Sequence, residues 1–107
     1  MKMRMVLLAC VAVCASGEAR ADYTSIGQGS SSCGTWAEYR RSGGAVRQEQ
    51  WILGFLSGVG WVNLNGDDPL KGLDAPAVFA WIDNYCRANP LHHVNKAAGS
   101  LAIEHPR

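Results

Sequence analysis

Apolar residues recur along this chain at helical intervals rather than in alternation. Val78, Trp81, Ile82 and Tyr85 stand at i, i+3, i+4 and i+7, which puts four side chains on one helical face. Cys86, four residues after Ile82, lies at the edge of that face. From Trp51 to Val62 nearly every position is apolar or small, the pattern of a buried central helix. Leu91, Val94, Ala98 and Leu101 form an inward stripe in the last block, and Trp36 and Tyr39, three apart, point to the core from the first. The pattern predicts an all-α fold, a small single-domain bundle of about four helices.

Capping and breaking residues divide the blocks. Thr35 and Glu38 have capping-box spacing and start a short helix running to about Arg41, which Ser42-Gly43-Gly44 breaks. The second helix runs from about Ala45 to about Asn63. Gly54 and Gly58 lie inside it, and glycine costs roughly 0.8–1 kcal/mol in a helix interior, so another helix is expected to cross close to its backbone there. Asn65-Gly66-Asp67-Asp68-Pro69 is the strongest turn signal. Asp74 caps the third helix, with Pro76 tolerated in its first turn and the end near Ala88. Asp83 and Arg87 read as an exposed i, i+4 pair. Asn89-Pro90 reads as a helix restart, so the last helix is expected from Pro90 to about Glu104.

The N-terminus follows another logic. Lys2 and Arg4 precede an apolar run from Met5 to Ala15, and Ala19-Arg20-Ala21 supplies the small residues a signal peptidase reads. Residues 1–21 are therefore expected to be a cleaved signal peptide; the run is too short for a membrane span, which needs roughly 20 residues. A lipoprotein reading, with Cys10 after Leu7-Leu8-Ala9, leaves almost no apolar region after Arg4 and fits less well. Residues 22–32 are Gly/Ser-rich and nearly devoid of apolar side chains, which predicts a flexible tether before a folded domain over 33–105.

Removing 21 of the 107 residues leaves 86, enough for one small domain. Lys2, Arg4, Arg20 and Glu18 leave with the signal, so 10 basic and 9 acidic side chains become 7 and 8. No basic stripe remains for nucleic acid. Cys10 and Cys14 leave too, and an even pair in a small exported domain, Cys33 and Cys86, is most simply a disulfide. Closing that loop contributes about 4 kcal/mol on the chain-entropy model, a large share of a small domain's stability.

Candidate chemistry is sparse. The mature chain has no Cys-x-x-Cys, and the serine in Gly54-Phe55-Leu56-Ser57-Gly58 is one place too late for a nucleophile elbow. Asn63, Asn65, Asp67 and Asp74 approach calcium-loop spacing, but Asp68 stands where that loop needs glycine. His92 and His93 diverge by about 100° on a helix, and His105 lies in the tail. No metal, no cofactor and no catalytic set is expected.

As a set, Cys33…Trp36, Trp51…Gly54…Gly58, Trp81…Asp83…Tyr85-Cys86 and Asn89-Pro90-Leu91…Ala97-Ala98…Leu101 resemble the Rap/Tai family. These are small exported immunity proteins that block type VI secretion amidase effectors in the periplasm. The chain is more distantly similar to the acid-stress chaperones HdeA and HdeB, also small, helical and held by one disulfide. The resemblance covers about Cys33 to Leu101 and rests on disulfide, packing and capping residues, so it carries no effector-contacting position over. It implies a periplasmic protein-interaction module, with an immunity protein as the first reading, an HdeA-like chaperone as the alternative, and a homodimer left open.

For the partner-binding surface, the connection between the second and third helices is the best candidate. Asp67 and Asp68 would meet basic groups, with Asn65 and Lys71 beside them and Trp61 as apolar anchor.

Overall fold

A computed structural model describes residues 23–63 and 66–105. Its four helices are α1 (Cys33–Ser42), α2 (Val46–Val62), α3 (Ala75–Ala88) and α4 (Val94–Glu104). Among the described residues there is no strand, only an isolated bridge between Ser32 and His93. The expected all-α bundle with one disulfide is the observed fold, and Cys33 and Cys86 bond across a Cα separation of 5.0 Å. The signal-peptide reading lies outside the described residues.

The core follows the apolar stripes. Ile52 and Leu56 of α2, Val78 and Ile82 of α3, and Val94, Ala97, Ala98 and Leu101 of α4 are fully buried. α4 packs against both α2 and α3, and α1 lies on α3. Alanine at 97 and 98 lets α4 approach both neighbours closely, while each buried Ile or Leu contributes about 1.5–3 kcal/mol.

Helix ends explain most departures from expectation. α1 starts earlier than Thr35: Ser32 is the N-cap, its Oγ accepting the Thr35 N–H at 3.0 Å. Gly43 ends α1 at φ 78°, a left-handed conformation open to glycine at little cost. Tyr39 is exposed rather than inward, since a ten-residue helix buries only the stripe of Cys33 and Trp36. Asp74 caps α3 as expected, accepting the Ala77 N–H at 2.9 Å.

α4 begins at Val94, not Pro90. Asn89 caps backwards instead of forwards: its Nδ2 donates to the Tyr85 carbonyl at 3.0 Å, a second donor beside its own backbone N–H at 2.9 Å. Residues 90–92 form a turn, so Leu91 is exposed and leaves the inward stripe. His92 is consequently half-buried, its Nδ1 2.7 Å from the Tyr85 hydroxyl.

The Gly/Ser stretch expected to be a tether is packed where it is described. Gln28–Ser30 form a 3-10 turn against α2 and α4. A Cβ on Gly29 would overlap the Trp51 ring, so glycine is what allows the segment to lie flat on that indole. The Trp51 indole N–H donates to the Ile26 carbonyl at 2.9 Å. Two bonds then fasten the strap to the bundle: Cys33 N–H to His92 O at 2.8 Å and Val94 N–H to Ser31 O at 2.9 Å. Backbone pairing and one tryptophan offset the ordering entropy that the segment's own side chains could not.

Gly54 and Gly58 also depart from expectation. Both are exposed, with open space where a Cβ would stand, and among the described residues no helix crosses them.

Candidate functional site

The end of α2 and the connection after it form the candidate surface. Trp61 and Val62 close α2, and Trp61 is 86% exposed with Val62 beside it also exposed. The other three tryptophans behave differently. Trp36 is fully buried, and Trp51 and Trp81 pack on the core. Trp51 stacks on Phe55 and Trp81 on Tyr85, at centroid distances of 5.4 and 5.7 Å. Only Trp61 is left to water, on the turn of helix that follows the open backbone at Gly58.

The connection is a built turn. Gly66 N–H donates to Asn63 O at 3.1 Å, and Asn63 Nδ2 donates to Asp67 O at 2.9 Å. Pro69 is buried beneath it. Asp68 Oδ1 accepts the Leu70 N–H at 2.9 Å and lies 3.1 Å from where a Cβ on Gly60 would stand. Gly60 thus gives the carboxylate room against α2. Of the predicted residues, Trp61, Asp67 and Lys71 are exposed on this surface, and Asn65 lies outside the described residues. Asp68 is exposed too, but its carboxylate holds the turn, a role that the view of it as a free partner for basic groups had missed.

A second cluster was read differently from the sequence. Asp83 does not pair with Arg87 along α3; it reaches across to α1. Its Oδ1 accepts the Trp36 indole N–H at 2.8 Å and the Arg40 Nε–H at 3.1 Å, and its Oδ2 accepts from Arg40 Nη2 at 2.9 Å. Arg40 also meets Glu49 of α2 at 3.3 Å and stacks over Trp36 and Phe79, 5.5 and 5.6 Å from the ring centroids. Arg87 turns to Asn84 instead. The hydrogen bonds that Arg40 donates to Asp83 and the charge of that carboxylate, with Glu49 adding less, raise the Arg40 pKa above its ordinary value against the opposing effect of burial. The i, i+4 spacing of Asp83 and Arg87 masked this pairing, since only the α1–α3 crossing brings Arg40 near.

Beside the cluster, a shallow cleft of about 630 Å³ runs along the disulfide, with Arg40, Arg41 and Arg87 at its rim. Among the described residues no group of three or more His, Cys, Asp or Glu could hold a metal ion, and no helix is long and apolar enough to cross a membrane.

Set beside known proteins, the chain matches no family model, no curated protein and no solved structure.

Proposed function

We propose that this chain is an exported protein-interaction module of the Rap/Tai kind, an immunity protein that occludes a secreted cell-wall amidase. The observation that carries the reading is Trp61. An indole exposed at a helix end, beside an acidic turn and above the open backbone of Gly54 and Gly58, has the chemistry of an interface anchor. Asp67 and Lys71 supply polar contacts around it. The three remaining tryptophans are committed to packing, so Trp61 is not explained by the core.

Export is supported by the charged, apolar and small-residue order of residues 1–21 and by a disulfide, which persists in oxidising compartments. The periplasm is the compartment this reading assigns, and the effector's active-site rim is the partner surface.

The test is a protection assay. An amidase encoded beside this chain's gene is directed to the periplasm with and without this protein, and peptidoglycan hydrolysis by the purified amidase is measured in parallel. Inhibition lost in Trp61→Ala supports the reading. Full hydrolysis in the presence of the folded wild-type chain overturns it, and reversible unfolding near pH 2–3 with suppression of client aggregation would instead favour a chaperone.

A further inference from the structure

Three of the large apolar side chains left exposed, Tyr23, Ile26 and Ile103, gather around one groove of about 500 Å³. They are 68%, 82% and 76% exposed. Scattered singly, such residues need no explanation, but convergent on a concavity they mark a binding site. The stacked pair Trp51 and Phe55 of α2 forms an aromatic wall. The opposite wall comes from α4, where Lys96, Gly99, Ser100 and Ile103 stand at i, i+3, i+4 and i+7 and so share one face. The strap at Tyr23–Ile26 supplies the third side.

The polar side chains of the lining are one cation, Lys96, and neutral groups: the Asn95 amide and the hydroxyls of Tyr23, Thr24, Ser25 and Ser100. Lys96 is the one charged residue in the described lining, and it is exposed at the start of the α4 face. No carboxylate stands in the described lining. Ser25 Oγ, in the strap, has no hydrogen-bond partner among the described residues. The Trp51 N–H is already committed to the Ile26 carbonyl. A peptide laid along the aromatic wall would have to match its N–H groups to the scattered side-chain oxygens of Thr24, Ser25, Asn95 and Ser100, whereas an alkyl chain has none to satisfy. A membrane surface calls for a cluster of several basic residues, and this groove has one.

We propose that the groove binds a free single-chain carboxylate, a medium-chain fatty acid, with its head at Lys96 and its tail running over Gly99 towards Ile103. Lys96 and Ile103 are seven residues apart, about 10 Å along the helix axis. That length matches a tail of roughly eight carbons, at ~1.25 Å of advance per ~1.5 Å bond. Gly99 is the floor of the tail site: nothing stands within 4 Å of where its Cβ would be. The site is separate from the Trp61 surface, so it stands or falls independently of the immunity reading.

The experiment titrates octanoate and decanoate, below their micellar ranges, into the purified full chain, followed by calorimetry and by tryptophan fluorescence. The expected result is saturable 1:1 binding, with octanoate about 15-fold tighter than hexanoate, since each buried methylene is worth about fourfold. The gain per carbon falls off beyond the groove's length. Octanol binds up to about fivefold more weakly than octanoate, the range of an exposed ion pair, and Lys96→Met erases that difference. Gly99→Leu fills the groove and abolishes binding with the circular dichroism unchanged; should that variant not fold, Ile103→Asp at its exposed position lowers affinity at least tenfold. No saturable binding of decanoate, undiminished binding in both groove variants, or uptake only by phosphatidylglycerol vesicles would overturn the proposal.

Discussion

Asp83 accepts the indole N–H of Trp36 at 2.8 Å across 47 residues of chain, joining the most deeply buried side chain of α1 to α3. Arg40 clamps the same carboxylate from outside. Removing the acceptor therefore strands two donors. Asp83→Ala is expected to cost about 2–4 kcal/mol in chemical denaturation, most of it the penalty of an unpaired buried indole N–H and a half-buried guanidinium. Asp83→Asn keeps one acceptor and costs about half as much. Arg40→Met retains the stacking on Trp36 and Phe79 and costs about 1 kcal/mol or less, because the ion pairs are a third exposed. A raised arginine pKa gives stability that is fully present below the ordinary value and lost only as pH rises through the higher one. The Arg40 contribution should therefore stay constant from neutral pH far into the alkaline range.

The disulfide closes a loop with a sequence separation of 53. Thiol labelling of the native, unreduced protein should find none at Cys33 or Cys86. Cys86→Ser should lower the unfolding free energy by about 4 kcal/mol on the chain-entropy model. One accessible thiol per chain at either position would contradict the bridge.

Glycines at two sites should respond in opposite senses. Gly29→Ala drives a methyl into the Trp51 ring and is expected to destabilise by about 1–3 kcal/mol while releasing the strap, seen as faster amide exchange over Gln28–Ser31. Gly54→Ala stands in open space inside α2 and should stabilise by about 0.5–1 kcal/mol.

At the α2 end, Trp61→Phe should remove the component of the tryptophan emission that acrylamide quenches most readily, because the other indoles are packed. Trp61→Ala and Lys71→Ala should each leave stability within about 0.5 kcal/mol. Asp68→Ala removes the acceptor for the Leu70 N–H and should cost about 0.5–1.5 kcal/mol, separating its structural role from the exposed residues beside it.

Helix periodicity, Asp74 as a cap, Ser42-Gly43-Gly44 as a break and a lone pair of cysteines in the described domain were legible without coordinates. Each is a local rule, set by the 3.6-residue period, by a side chain reaching its own backbone, or by covalent pairing. Trp61, expected as an apolar anchor because it sits at a helix end beside a turn, is exposed there. What depended on tertiary structure has one physical cause: the partner comes from another element. Asp83 was read with Arg87, its neighbour on α3, but the α1–α3 crossing brings Arg40 and Trp36 closer. The stretch over 22–32 looked unable to fold because its own side chains bury little. Where it is described, its order comes from Trp51 on α2 and from backbone bonds to residues 92 and 94. Gly54 and Gly58 looked like a helix crossing, but spacing says only that a close approach is possible, and where helices cross is decided by the packing of the whole core.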